Sequence, residues 1–110
     1  MARRPVERPD PLPEEQAQPA FDLVFANSKV EKSWRLLLRE RRTELRECWD
    51  HLAYRPAVDL PRRCGGLAGH FKELGWRQYE IGPKQRVWFV IEGNTVRIIA
   101  VWRSHPKATE

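Results

Sequence analysis

The sequence predicts a small α+β domain, and three observations along its 110 residues lead to that fold class. A short segment with alternating apolar residues, at 21–25, predicts a strand. Two stretches with apolar residues at helical spacing follow it, and three further alternating segments lie near the end of the chain. The expected order is therefore an N-terminal strand, a helical hairpin and a three-strand antiparallel meander, which together form a largely antiparallel sheet.

Residues 1–20 differ in composition from this domain. They contain five of the nine prolines and almost no hydrophobic periodicity. Such a segment buries too little apolar surface to offset the conformational entropy lost on ordering. We therefore expect a disordered, Pro-rich arm at 1–20 and a folded domain at 21–110.

The helical hairpin is predicted from its start signal and its apolar stripe. Ser28 and Glu31 have the spacing of a capping box, which predicts a helix start. The stripe of the first helix consists of Val30, Trp34, Leu37 and Leu38. Four charged residues at 39–42 interrupt the stripe, which resumes at Leu45 and stops before Pro56. A turn near residues 40–44 is the preferred interpretation, and one long helix is the alternative.

The second half of the domain is predicted to hold a long loop and three strands. Residues 56–75 contain two prolines and four glycines, which predicts a loop. The strands are expected at about 76–81, 86–92 and 95–103, with the last two joined by a two-residue turn at Gly93.

This turn fixes a register for the last two strands. Phe89 then pairs with Ile98, and Val87 pairs with Ala100, on a face that packs against the helices. The opposite face is expected to be open to solvent. It carries Arg86, Trp88, Arg97 and Arg103. An arginine-lined sheet face is the first indication of function.

The charge of the chain favours a polyanionic partner. The net charge is +5, and fifteen arginines outnumber five lysines. Guanidinium groups are always charged and form bidentate contacts with phosphate, which suits nucleic acid. A solvated basic surface without a specific partner is the alternative.

The expected location is the cytoplasm. No apolar run reaches the length of about 20 residues that a membrane span needs, and the N-terminus lacks the pattern of a secretion signal. Cys48 and Cys64 lack a metal-binding spacing, so they are expected to be free thiols in a reducing compartment.

Two C-terminal segments resemble the RelE/ParE toxin superfamily of toxin–antitoxin systems. In that family an arginine opens the strand after a turn and precedes a run of the type Val-x-Tyr or Val-x-Phe, which Arg86 to Val90 resembles. Arg103, His105 and Lys107 resemble the Arg-x-His ending of the YoeB branch, which cleaves mRNA on the ribosome. The resemblance covers about residues 21–110.

The resemblance implies cleavage of RNA by the neighbouring ribose 2′-hydroxyl, with no metal and no small-molecule cofactor. This reaction needs a base, a cation for the charged phosphorane and an acid for the departing 5′-oxygen. Arg86 and Arg103 are then the candidates for the cation, His105 for acid–base work, and Glu80 for the base, with Glu73 as a weaker candidate. The candidates for RNA contact are Lys84, Arg97, Lys107 and Trp88, of which Trp88 is equally suited to antitoxin contact.

The implied partners are a cognate antitoxin, the ribosome and mRNA, with no membrane. Two other functions stay open. The ParE branch poisons DNA gyrase without hydrolysis, and here Pro106 follows the histidine in place of the C-terminal tyrosine of many RNA-cleaving members. The other function is that of a non-catalytic basic module with the same fold. Under that interpretation Arg86 is a salt-bridge partner of Glu80, and His105 is an ordinary surface residue.

Overall fold

The computed structural model of the chain describes residues 4–104, which form three helices and five strands. The helices are α1 (Ser28–Leu38), α2 (Arg42–Tyr54) and the short α3 (His70–Glu73). The strands are β1 (Asp22–Phe25), β2 (Cys64–Gly66), β3 (Arg77–Glu80), β4 (Arg86–Glu92) and β5 (Thr95–Trp102). The α+β class and the predicted order of strand, helical hairpin and antiparallel meander are confirmed.

The five strands form one sheet in the order β1-β5-β4-β3-β2. β1 is parallel to β5, and every other neighbouring pair is antiparallel. The core lies between the helices and one face of the sheet. Its most deeply buried members are Leu37, Leu45, Cys48, Leu52, Val87, Phe89, Val96 and Ile98.

The helical hairpin follows from its cap and its charged interruption. The side chain of Asn27 accepts a hydrogen bond from the backbone N–H of Val30 at 3.0 Å, so the cap lies one residue before the predicted Ser28. The charged run at 39–41 forms the turn, which makes the element two helices rather than one. None of the helices within residues 4–104 is long and apolar enough to cross a membrane.

The predicted register of β4 and β5 is right near their hairpin and wrong beyond it. Gly93 has a φ of 64°, which suits the first position of a type II′ turn, and Phe89 pairs with Ile98 as expected. Ile99 is then the extra residue of a β-bulge, so Val87 pairs with Val101. Because of the bulge, Val101 rather than Ala100 faces the helices.

The same bulge places Trp102 on the face that carries Trp88, whereas the register predicted from the turn puts Trp102 on the face of Ile98. The indoles of Trp88 and Trp102 are 5.2 Å apart in an edge-to-face arrangement. Phe71 of α3 lies 5.0 Å from Trp88, and Trp76 stacks on Phe71 at 5.5 Å. These four residues form an aromatic cluster that covers the second face of the sheet.

The prediction that residues 56–75 form only a loop, beside an open sheet face, is therefore wrong. The segment contains β2 and α3, and α3 folds back over the sheet. Trp88 is only 3% exposed, and its indole N–H donates to the side-chain oxygen of Gln78 at 2.9 Å. Phe71, Trp76 and Trp102 are half-buried around Trp88. The packing of these four aromatic side chains favours the covered face, and the alternation of residues along the strands does not reveal it.

Residues 4–20 pack against the domain, which corrects the prediction of a disordered arm for this segment. The backbone N–H of Val6 donates to the carbonyl of Leu23, and Val6 itself is buried. The carbonyl of Val6 accepts from the indole N–H of Trp49 at 2.7 Å. Farther along, Arg8 forms a two-point ion pair with Asp50 of α2. The arm is held by a strand edge and by polar contacts, neither of which needs apolar periodicity.

Deleting residues 1–20 is accordingly expected to lower the free energy of unfolding by about 1–3 kcal/mol. Loss of the buried Val6 and of the Arg8–Asp50 pair favours unfolding, while the entropy of ordering the arm offsets part of that loss. A drop of roughly 5–15 °C in melting temperature should follow for a domain of this size. Calorimetry of the full and shortened chains measures this difference in melting temperature. Equal melting temperatures would indicate that the arm is disordered, as the sequence predicted.

Candidate functional site

Four of the predicted site residues meet at one end of the sheet. Glu80 ends β3 and is the register partner of Arg86, which begins β4. Arg86 is in turn the partner of Trp102, the last residue of β5, so Arg103 lies just beyond the end of that strand. Lys84 lies in the turn at 81–85 that joins β3 to β4. We call this group, made of Glu80, the turn at 81–85, Arg86 and Arg103, the turn-end site.

Arg86 is buried, which corrects its predicted place on a solvated face. Its side chain is 8% exposed, and its Nη1 donates to the carbonyls of Gly82 at 2.8 Å and Gln85 at 2.9 Å. Its Nη2 donates to the carbonyl of Pro83 at 3.3 Å and lies 3.7 Å from Glu80 Oε1. A buried cation is stable only when such partners surround it. In this arrangement the guanidinium holds the turn together.

Arg103 and Lys84 present the accessible cations of the turn-end site. The side chain of Arg103 is 49% exposed, and its Nη2 donates to Glu40 Oε1 at 3.1 Å. An exposed pair of this kind contributes only about 0–1 kcal/mol, so the guanidinium can exchange Glu40 for another anion. Lys84 is also exposed. Both cations are therefore available to a phosphate.

The turn between α1 and α2 brings two further charged residues to the same end, Glu40 and Arg41. A Cβ atom on Gly82 would lie 3.2 Å from Cζ of Arg41, so the absence of a side chain at Gly82 permits this close approach. Arg41 also donates to Glu44 at 3.4 Å. Neither residue was predicted to belong to the site. The only sequence signal at these positions is the charged run at 39–42, which interrupts the helical stripe and predicted the turn.

A cleft of about 400 Å³ lies beside Glu80, between α2 and the turn. Its lining residues are Thr43, Glu44, Glu47, Arg62, Arg63, Glu80, Ile81, Gly82 and Pro83. The backbone N–H of Glu80 donates to the carbonyl of Arg63 at 2.7 Å, which joins two of the lining segments. With both signs of charge on its walls, the cleft offers cations for a phosphate and a carboxylate that can accept a proton.

Arg97 and Trp88, both predicted to contact RNA, lie away from this arrangement. Arg97 pairs with Glu92 near the hairpin, with two hydrogen bonds of 2.9 and 3.0 Å. This pairing raises the pKa of Arg97 and lowers the pKa of Glu92. Trp88 lies inside the aromatic cluster, so it offers no free face for a base to stack on.

The histidine predicted to do acid–base work, His105, lies outside the described residues, as does Lys107. His51 lies at a different cavity, where its Nε2–H donates to the carbonyl of Val58 at 2.9 Å. Burial lowers the pKa of His51. His70 is exposed at the start of α3. Within residues 4–104, no group of three or more His, Cys, Asp or Glu side chains is placed to hold a metal ion.

Comparison with known proteins identifies the fold. No family model and no curated protein matches the chain. Among solved structures, the YoeB–YefM complex from Staphylococcus aureus aligns with a TM-score of 0.60 at 9% identity, over 77% of this chain and 98% of that one. A YoeB/ParE toxin from Agrobacterium tumefaciens aligns with a TM-score of 0.58 at 17% identity, over 76% and 98%.

A copper-bound mutant toxin from Helicobacter pylori aligns with a TM-score of 0.58 at 22% identity, over 76% of this chain and 92% of that one. All three structures are toxins or contain one, and nearly their whole length is covered. The chain shares the fold of these solved toxin structures.

Proposed function

We propose that this protein is the toxin of a toxin–antitoxin pair and that it cleaves mRNA on the ribosome. The observation that carries the proposal is that the exposed cations Arg103 and Lys84 lie at the same end of the sheet as the carboxylate of Glu80, in a chain with a RelE/ParE-like fold. Cations and a proton acceptor at one end of a sheet suit cleavage of a phosphodiester by the adjacent 2′-hydroxyl.

Each residue has a distinct part in this proposal. Glu80, whose side chain is 40% exposed, takes the proton of the 2′-hydroxyl. Arg103 leaves Glu40 and stabilises the charge of the phosphorane, while Lys84 contacts a neighbouring phosphate. His105, two residues after Arg103, donates the proton to the departing 5′-oxygen. Arg86 acts by holding the turn and its Lys84 in place.

The proposed partners are a cognate antitoxin, the ribosome and mRNA, in the cytoplasm. The Staphylococcus aureus structure is a complex of YoeB with YefM, which supports an antitoxin partner for this fold. An antitoxin that presents acidic side chains at the turn end would complement Arg103 and Lys84. The net charge of +5 suits a ribosomal, RNA-rich target.

One observation favours a second function, that of a toxin without hydrolysis, such as a gyrase inhibitor. Arg86, the residue that resembles the family's strand-opening arginine, is buried among backbone carbonyls. An arginine in that position serves the turn equally well in a protein that only binds its target. The two functions share the fold and differ in the molecule that they damage.

Controlled expression in bacterial cells distinguishes them. We expect translation to stop within minutes and primer extension to find mRNA cut inside codons, with DNA supercoiling unchanged. Co-expression of the antitoxin should restore growth. Loss of supercoiling with intact mRNA would replace the proposal by gyrase inhibition, and normal growth at a confirmed protein level would leave a non-catalytic binding module.

A further inference from the structure

An acidic residue of the N-terminal arm occupies a pair of arginines on α2. Asp10 Oδ1 accepts from Nε of Arg42 at 3.2 Å, and Asp10 Oδ2 accepts from Nη1 of Arg46 at 3.3 Å. Arg42 and Arg46 are four residues apart on a helix, so they lie on the same face one turn apart. The two guanidiniums thus hold one anionic group between them.

This contact is not what anchors the arm. Arg8 has a side chain that is only 11% exposed, and it donates to both carboxylate oxygens of Asp50, at 2.8 and 2.9 Å. Nη1 of Arg8 also donates to the carbonyls of Asp10 and Pro11, which fixes the backbone next to the acidic side chain. The arm therefore stays docked when only the carboxylate of Asp10 changes.

The ion pairs of Asp10, in contrast, are open to solvent. The side chains of Arg42, Arg46 and Asp10 are 58%, 38% and 36% exposed. Exposed pairs are weak, and another anion at high local concentration displaces them. Arg8 therefore fixes the arm, while the neighbouring carboxylate of Asp10 is held weakly. Such a carboxylate can compete with another anion for the same two arginines.

We propose that Arg42 and Arg46 form a binding site for an RNA phosphate and that Asp10 occupies this site as a competing anion. Guanidinium groups bind phosphate and carboxylate through the same two-point geometry. Residues 1–20 hold four carboxylates against three arginines, whereas the rest of the chain carries the whole positive excess. The arm thereby lowers the affinity of the basic domain for RNA. This inference rests on the proposed function in taking RNA as the partner.

The test is RNA binding by the full chain, with single-stranded RNA whose riboses are 2′-O-methylated so that it cannot be cut. Asp10→Asn removes the competing carboxylate from both arginines, leaves Nη2 of Arg42 donating to the carbonyl of Pro9, and keeps Arg8 in place. Glu15→Gln is the matched control, because it removes one exposed carboxylate from the same arm that makes no ion pair with the described residues. Circular dichroism checks that both variants fold.

At 50 mM salt we expect Asp10→Asn to bind this RNA about tenfold more tightly than the wild type, and Glu15→Gln to stay within about twofold. Two added phosphate contacts on a single strand should steepen the salt dependence, so the advantage should fall about sevenfold by 200 mM salt. Arg42→Ala with Arg46→Ala should abolish the gain in the Asp10→Asn background and change wild-type affinity only slightly.

Equal affinities of Asp10→Asn and Glu15→Gln would overturn the inference, as would a gain that survives removal of both arginines. A separate assay of mRNA cleavage by the wild type keeps the two proposals distinct. If the wild type cleaves mRNA but Asp10→Asn does not bind RNA more tightly, only the inference about the arm is wrong. If Asp10→Asn binds RNA more tightly but the wild type does not cleave mRNA, only the proposed nuclease activity is wrong, and the phosphate site is still supported.

Discussion

Replacing Arg86 with alanine is expected to lower the free energy of unfolding by about 2–4 kcal/mol. The change removes a charged donor from the carbonyls of Gly82, Pro83 and Gln85 and from Glu80. Lost hydrogen bonds to a charged group are worth about 1.5–3 kcal/mol each when buried, and water entering the turn recovers part of that. The melting temperature should fall by roughly 10–20 °C in a domain of this size.

Arg97→Ala is the matched control for this measurement. Arg97 also pairs with a glutamate, but its side chain is 40% exposed, so its loss should change the free energy of unfolding by less than about 1 kcal/mol. Arg86→Lys keeps the charge without the planar set of donors and should fall between the two. Urea unfolding of the three variants gives the comparison. Equal stability of Arg86→Ala and Arg97→Ala would indicate that Arg86 lies on a solvated face and does not hold the turn.

Sequence reasoning reached the fold because local signals and burial agree along most of the domain. Trp34 and Leu37 repeat at helical spacing and are buried, and on β4 Phe89 lies on the face that packs against the helices, as predicted. The glycine at the β4–β5 turn set the register of the adjacent pairs. Such patterns depend on neighbours in the chain, so they are visible without a structure.

The sequence patterns did not reveal that the second face of the sheet is covered. A β-bulge at Ile99 shifts every later residue of β5 by one position, and hydrophobic alternation does not mark it because Ile99, Ala100 and Val101 are all apolar. The cover over Trp88 comes from Phe71, seventeen positions earlier in a segment rich in glycine. A contact across that distance is a tertiary one, and composition alone indicated a loop.

The docking of the arm was missed for a related reason. Proline content and low apolar periodicity describe how poorly a segment folds alone, whereas residues 4–20 take their order from β1 and α2. Arg8 pairs with Asp50, which lies forty-two positions away in the chain. Val6 binds the edge strand β1 through a backbone hydrogen bond, which almost any residue can form. Of the candidate site, sequence reasoning identified Glu80 and Arg103 at one end of the sheet and omitted Glu40 and Arg41.

We propose that the turn-end site cleaves RNA, and substitution of Arg103 tests this proposal most directly. Arg103 is exposed and pairs only weakly with Glu40, so Arg103→Ala should fold with nearly wild-type stability. If its guanidinium stabilises the phosphorane, the variant should cleave on the order of a hundredfold more slowly. Arg97→Ala removes a similarly exposed arginine from β5, near the hairpin, and should cleave within about twofold of the wild type.

The measurement is the single-turnover rate of mRNA cleavage at saturating ribosomes, with folding of both variants checked by circular dichroism. We expect cleavage by the wild type and by Arg97→Ala, and a rate about a hundredfold lower for Arg103→Ala. Equal rates for the two folded variants would contradict the assignment of cleavage to the turn end of the sheet.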